Sequence, residues 1–158
     1  MKRLLVVLLL ALIVSLAVGV GVANATHSPS DNPSQDFAVG GGRITDETHI
    51  AIAALSDPSG EDPRGHLMVD TPEESLQAPV TCFITTVNRA VAGGPDQQQP
   101  GSFLYIIVED NDVPGDDRAT FTTSAVPANE AGCALIDTLV GGALLPLEGN
   151  VIVHDATL

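Results

Sequence analysis

The sequence predicts an all-β domain, a small β-sandwich or barrel of about seven to eight short strands, preceded by an N-terminal signal helix. Three observations predict it. Short alternating or wholly apolar runs recur along the chain. Clusters of Gly, Pro, Asp and Asn separate them about every ten to fifteen residues, where they break both helix and strand. A basic start followed by a long apolar run opens the chain, in the manner of an export signal.

Met1-Lys2-Arg3 is that basic start, and residues 4–22 are interrupted in their apolar character only by Ser15, Gly19 and Gly21. Ala23-Asn24-Ala25 then supplies the small-x-small pattern of a signal peptidase site, so residues 1–25 are expected to be removed. The alternative is an uncleaved anchor, since such a run is long enough to span a bilayer. Gly19 and Gly21 weaken the helix just before the site, and no basic stop-transfer cluster follows. Residues 26–36, with Pro29 and Pro33 among polar side chains, are expected to be a disordered leader. Residues 37–158 form a single β-domain.

Within it, residues 48–56 (THIAIAALS) alternate, placing Ile50 and Ile52 on one face and His49 on the other. Residues 66–70 form the next strand after the turn formers of 57–63. Residues 80–87 and 89–92 are expected to pair as a hairpin about Asn88. Residues 103–108 (FLYIIV) are apolar in both sets of alternate positions, as in a strand covered on each side. Residues 118–124 should be the antiparallel neighbour, and 150–154 the last strand. Residues 134–147 (ALIDTLVGGALLPL) are ambiguous: Gly141, Gly142 and Pro146 forbid a long helix, leaving a short helical turn or a broken strand.

Composition excludes some partners. After residue 25 the chain keeps four arginines (Arg43, Arg64, Arg89, Arg118) and no lysine against 20 carboxylates, a net charge of −16. Such a surface repels phosphate backbones and anionic lipid, so neither nucleic acid nor, after signal cleavage, a membrane is an expected partner. No Trp, one Tyr and four Phe leave few platforms for stacking bases or sugars.

The ordered series Gly40-Gly41-Gly42-Arg43-Ile44, Gly65-His66-Leu67-Met68-Val69-Asp70, Pro79-Val80-Thr81-Cys82, the hairpin from Thr86 to Gly93, the acidic turn from Val108 to Asp117 and Gly149-Asn150-Val151-Ile152-Val153-His154 resembles small secreted bacterial β-domains of uncharacterised function, some labelled post-COAP domains. The likeness spans residues 40–154. Asp112 stands where those domains usually have the Gly of Asp-Asn-Gly-x-Pro-Gly. The resemblance implies a secreted β-rich module and no catalytic residue.

Cys82 and Cys133 are the only cysteines of an exported chain, which favours one disulfide over two buried thiols. No Cys-x-x-Cys pair suggests redox work. His27, His49, His66 and His154 show no metal-ligand spacing. There is no Gly-x-Ser-x-Gly, Ser59 sits in a turn with no base marked for it, and Gly40–42 neither opens a helix nor precedes a Lys. At this acidity, paired carboxylates such as Glu73-Glu74 carry little meaning. One cluster has a chemical argument: residues 109–117 hold five carboxylates, and Asp110, Asp112 and Asp116 are candidate ligands for Ca²⁺, a cation that takes six to eight oxygens. Counted from Asp110, Pro114 and Phe121 occupy positions where an EF-hand needs ligands, so a solvated turn is the simpler expectation.

The expected protein is therefore a secreted, acidic, non-enzymatic β-domain acting as an extracellular or cell-surface interaction module, with a cell-envelope or extracellular partner and no cofactor unless calcium binds. The alternatives are a secreted hydrolase with a strand-end site, marked by a buried His66 or His154 beside a carboxylate, and a calcium-dependent adhesion module.

Overall fold

The computed structural model describes residues 35–113 and 115–156; the signal segment, its cleavage site and all but the last two residues of the expected leader lie outside them. Among the described residues, ten strands and one helix follow in the order β1 Asp36–Thr45, β2 Thr48–Ser56, β3 Arg64–Asp70, β4 Ser75–Pro79, β5 Cys82–Thr86, β6 Arg89–Pro95, β7 Phe103–Glu109, β8 Arg118–Ser124, α1 Glu130–Val140, β9 Leu145–Pro146 and β10 Glu148–His154. They form two antiparallel five-stranded sheets, sheet A in the order β10-β1-β2-β3-β4 and sheet B in the order β5-β6-β7-β8-β9. The architecture is sandwich-like.

Alternation builds the core between the sheets. Ile50 and Ile52 of β2 and Leu67 and Val69 of β3 face Ala90 and Ala92 of β6 and Leu104, Ile106 and Val108 of β7. Each large aliphatic buried this way contributes roughly 1.5–3 kcal/mol. The other register of β7, Tyr105 and Ile107, joins Val91, Cys133 and Ile136 in a second cluster on the far side of sheet B, under α1. The doubly apolar run 103–108 is thus covered on both faces, by sheet A and by the helix. The expected hairpins hold: Thr86 pairs with Arg89, and Phe103 through Glu109 pair with Ser124 through Arg118.

Three elements differ from expectation. The ambiguous segment is a helix of 11 residues that begins four residues earlier, at Glu130, and stops before Gly141 and Pro146 as the breakers require. Asn129 starts it: its side-chain oxygen accepts from the Gly132 N–H at 2.9 Å. β1 is a strand despite three consecutive glycines. Gly40 has φ 143°, and a Cβ there would strike the Asn150 backbone of β10. β4 was not expected: it is five residues long, and only Leu76 and Ala78 carry its apolar face, too few positions to form a recognisable alternating run. Cys82 in β5 and Cys133 in α1 are joined as a disulfide, with Cα atoms 6.2 Å apart, tying the helix to the edge of sheet B.

Candidate functional site

The acidic turn between β7 and β8 is only partly a solvated loop, because two of its carboxylates turn inward. Asp117 is 2% exposed; its Oδ1 accepts from the Asn111 N–H at 3.2 Å and its Oδ2 from the Val151 N–H at 3.0 Å. Asp110 accepts from the Asp112 N–H at 3.0 Å and from the Val153 N–H at 3.1 Å. Val151 and Val153 are alternate residues of β10, the outer strand of sheet A, so these N–H groups point away from β1 and would otherwise be an open edge. A third carboxylate extends the pattern: the buried Asp36 accepts from the Ala156 N–H at 2.7 Å. Of the three candidate calcium ligands, Asp110 is engaged by backbone through both oxygens, while Asp112 and Asp116 are exposed. Among the described residues no three His, Cys, Asp or Glu side chains gather as ion ligands.

His49, His66 and His154 all lie on the outer face of sheet A, and His27 lies outside the described residues. Register places them in separate rows. His154 pairs across to Phe37, whose ring it stacks on at 5.1 Å, and the row continues through Leu55 to Arg64. The next row runs Ile152, Val39, Ala53, His66. His49 sits between Arg43 and Asp70. His66 is exposed and His154 half-buried against an aromatic ring, so neither forms the buried pair with a carboxylate that would mark a hydrolase.

This outer face is otherwise apolar and open. Val39, Leu55 and Ile152 are 43%, 37% and 44% exposed, with Ala51, Ala53 and Met68 beside them. Its charges balance in number: Arg43 pairs with Glu148, and Arg64 and Asp70 add one charge of each sign at the two ends of β3. The hydrogen bond that Arg43 donates to the Glu148 carboxylate also pushes the Arg43 pKa above its ordinary value. Sheet B lacks an equivalent open face because α1 covers it. Arg89 fixes the far end of that helix, donating to Asp137 at 2.7 Å with Glu109 at 3.8 Å. Gly141 leaves room for the guanidinium there, a cation at a helix C-terminus.

At one end of the sandwich a cleft of about 190 Å³ opens alongside β5. Phe83, Ile84 and Thr85 of β5 form one wall, the turn at 58–60 the other, and the residues Asp36, Glu130 and Asp155 also line it. Ser59 is among the lining residues, and no histidine is. Sequence reading missed this cleft because its acidic residues come from the start of β1, the start of α1 and the residue after β10. Only the pairing of β1 with β10 brings the first and last of these to one end. Comparison of the chain with protein-family models, with curated proteins and with solved structures finds no match.

Proposed function

We propose that this chain is a secreted, acidic, non-enzymatic interaction module that docks, through the outer face of sheet A, on an apolar and uncharged surface of a cell-envelope protein. The observation that carries the reading is charge segregation. In a chain of net charge −14, the described residues leave one sheet face uncovered, and it carries balanced charge and exposes Val39, Leu55 and Ile152 close together. A contiguous apolar patch of this kind on a soluble domain is the usual mark of a binding surface. The balanced charge spares an apolar partner the cost of burying unpaired carboxylates, which the rest of the surface would impose. The export signal and the resemblance to secreted bacterial β-domains agree with an extracellular setting.

The test is retention of envelope components by the immobilised mature domain. Ala53→Glu, at the centre of the face, should abolish retention, whereas Leu139→Glu, on the exposed side of α1, should leave it intact. Equal retention by wild type and Ala53→Glu overturns the reading, as does turnover of ester, peptide or glycoside substrates by the purified domain.

A further inference from the structure

His49, His66 and His154 are the histidines of the described residues, and all three stand on the outer face of sheet A, which no described element covers. Imidazole is the side chain that ordinarily changes charge between about pH 5 and 8. Arg43, Arg64, Asp70 and Glu148 cancel on this face at neutral pH. Mild acid therefore adds positive charge to the open apolar face, while the chain as a whole keeps its excess of carboxylates.

The three positions are not equivalent. His49 has Arg43 on one side and Asp70 on the other, so a carboxylate stands in its own row. His154 ends β10, where Asp110 holds the Val153 N–H and Asp155 follows in sequence, so that end carries two carboxylates. His66 has none. Its row holds Ala53 of β2 on one side and Pro79 of β4 on the other, and the next positions of those strands on this face are Ala51, Leu55 and Gln77. Along β3 it stands between Arg64 and Met68, and Asp70 is about 13 Å further on. Beyond β4, the loop after β6 bonds to that strand through Gln97 and Gln98, and its Asp96 is buried. Glu61 and Asp62 lie before Arg64 in the turn leading into β3, and Glu74 lies before Ser75, at Asp70's end of β4.

We propose that docking through the outer face of sheet A is gated by pH, with His66 as the gate. The face holds an apolar partner while this imidazole is neutral and releases it once the imidazole is charged. The inference rests on the reading of the chain as a module that docks through this face. Under an uncharged partner, a neutral imidazole has one N–H and one acceptor nitrogen to satisfy. An imidazolium brings a full charge there, and the charge nearest to it along β3 is that of Arg64, of the same sign. The proton must therefore leave before the partner seats. Docking that requires a neutral imidazole weakens about tenfold at one pH unit below the ordinary imidazole pKa of about 6.5.

The probe is phenyl-agarose, an apolar surface with no titrating group, so any response to pH comes from the chain. Partition of the full mature chain onto it is measured at about pH 7.5 and about pH 5.5, at constant ionic strength, one unit to either side of the ordinary imidazole value. Wild type is compared with His66→Gln, His49→Gln, His154→Gln and Ala53→Glu. Wild type should bind about tenfold more weakly at the lower pH. His66→Gln, polar but never charged, should bind within about twofold alike at both, whereas His49→Gln and His154→Gln should keep the wild-type fall. Loss of negative charge in acid strengthens adsorption of so acidic a chain, so net charge alone gives the opposite sign. Wild-type binding that is equal or stronger at the lower pH overturns the proposal, as does a fall that persists in His66→Gln. So does loss of ellipticity at the lower pH, which assigns the fall to unfolding. His66 is exposed, so glutamine there leaves the core untouched. Binding that Ala53→Glu leaves unchanged at the higher pH overturns the docking reading itself. Binding that Ala53→Glu abolishes and pH leaves unchanged removes only the gate.

Discussion

Asp117→Asn isolates the role of the acidic turn. The carboxylate is 2% exposed and accepts two backbone N–H groups through different oxygens, from Asn111 at 3.2 Å and Val151 at 3.0 Å. An amide of the same shape has one acceptor oxygen, so either orientation turns its NH₂ against one of those donors. One buried N–H loses its partner, at a cost of about 1–3 kcal/mol, and the surviving bond loses its charge assistance. The sum is about 2–4 kcal/mol, a large share of the 5–15 kcal/mol that hold an ordinary domain together. Asp110→Asn, at a half-buried site with the same two-donor arrangement, should cost about 1–2 kcal/mol because water can reach the orphaned donor. Asp116→Asn should change stability by under about 0.5 kcal/mol, since its side chain is exposed.

Urea unfolding of the three variants gives the order, and amide hydrogen exchange gives the place. Exchange at Val151 should accelerate in Asp117→Asn before any global loss of structure, and exchange at Val153 in Asp110→Asn. An Asp117→Asn domain within 0.5 kcal/mol of wild type, with Val151 protected as before, would refute the edge-cap reasoning.

Other predictions follow from single contacts. Replacing both Cys82 and Cys133 by Ala should lower stability by about 3–4 kcal/mol, slightly under the chain-entropy value for a separation of 51 residues; the native domain should gain two protons in mass on reduction, and freely alkylated thiols before reduction would contradict the bond. Tyr105 is fully buried, donates to the Val126 carbonyl at 2.9 Å, and has its pKa pushed up by burial. Its contribution is then whole below the unfolded value of about 10 and is lost as pH rises through the higher folded value. As the chain's one tyrosine, with no tryptophan, it reports alone: tyrosinate absorbance should appear later than in a free tyrosine amide and together with loss of ellipticity. Calcium at constant ionic strength should raise the melting temperature no more than magnesium does, because Asp110 already holds two N–H groups; a saturating calcium-specific rise that Asp112→Asn removes would promote the adhesion-module alternative.

Local pattern sufficed where one residue's surroundings repeat every second position. The run 103–108 announced two covered faces, and the helix breakers Gly141 and Pro146 announced where α1 must stop. What local pattern did not reveal was the cover itself. α1 contains Gly132, a residue that argues against helix, and the reason lies elsewhere in the chain: a Cβ there would meet the Pro127 carbonyl and come within 3.0 Å of the Tyr105 hydroxyl. Gly93 faces the Tyr105 ring in the same way, at 2.5 Å from a built Cβ. These glycines let the helix press onto sheet B, and each looks locally like a defect. The candidate site was less legible than the fold. The end cleft and the capped edge of β10 depend on which strands lie outermost, and strand order leaves no trace in spacing.

The acidity of the chain therefore has two physical roles that composition merges into one number. Exposed carboxylates such as Asp112 and Asp116 repel other copies of the chain, a general effect of net charge that favours solubility. Asp117, Asp110 and Asp36 act differently, as acceptors for the N–H groups of Val151 and Val153 on β10 and of Ala156 two residues beyond it. Their partners are 34, 43 and 120 residues away in sequence, so five carboxylates in a short turn look like a solvated or ion-binding loop until β10 is laid beside it. Once it is, the turn's composition has a reason that needs no ion. A carboxylate is the side chain that closes an open strand edge with acceptors on both oxygens while offering no donor of its own to a new strand.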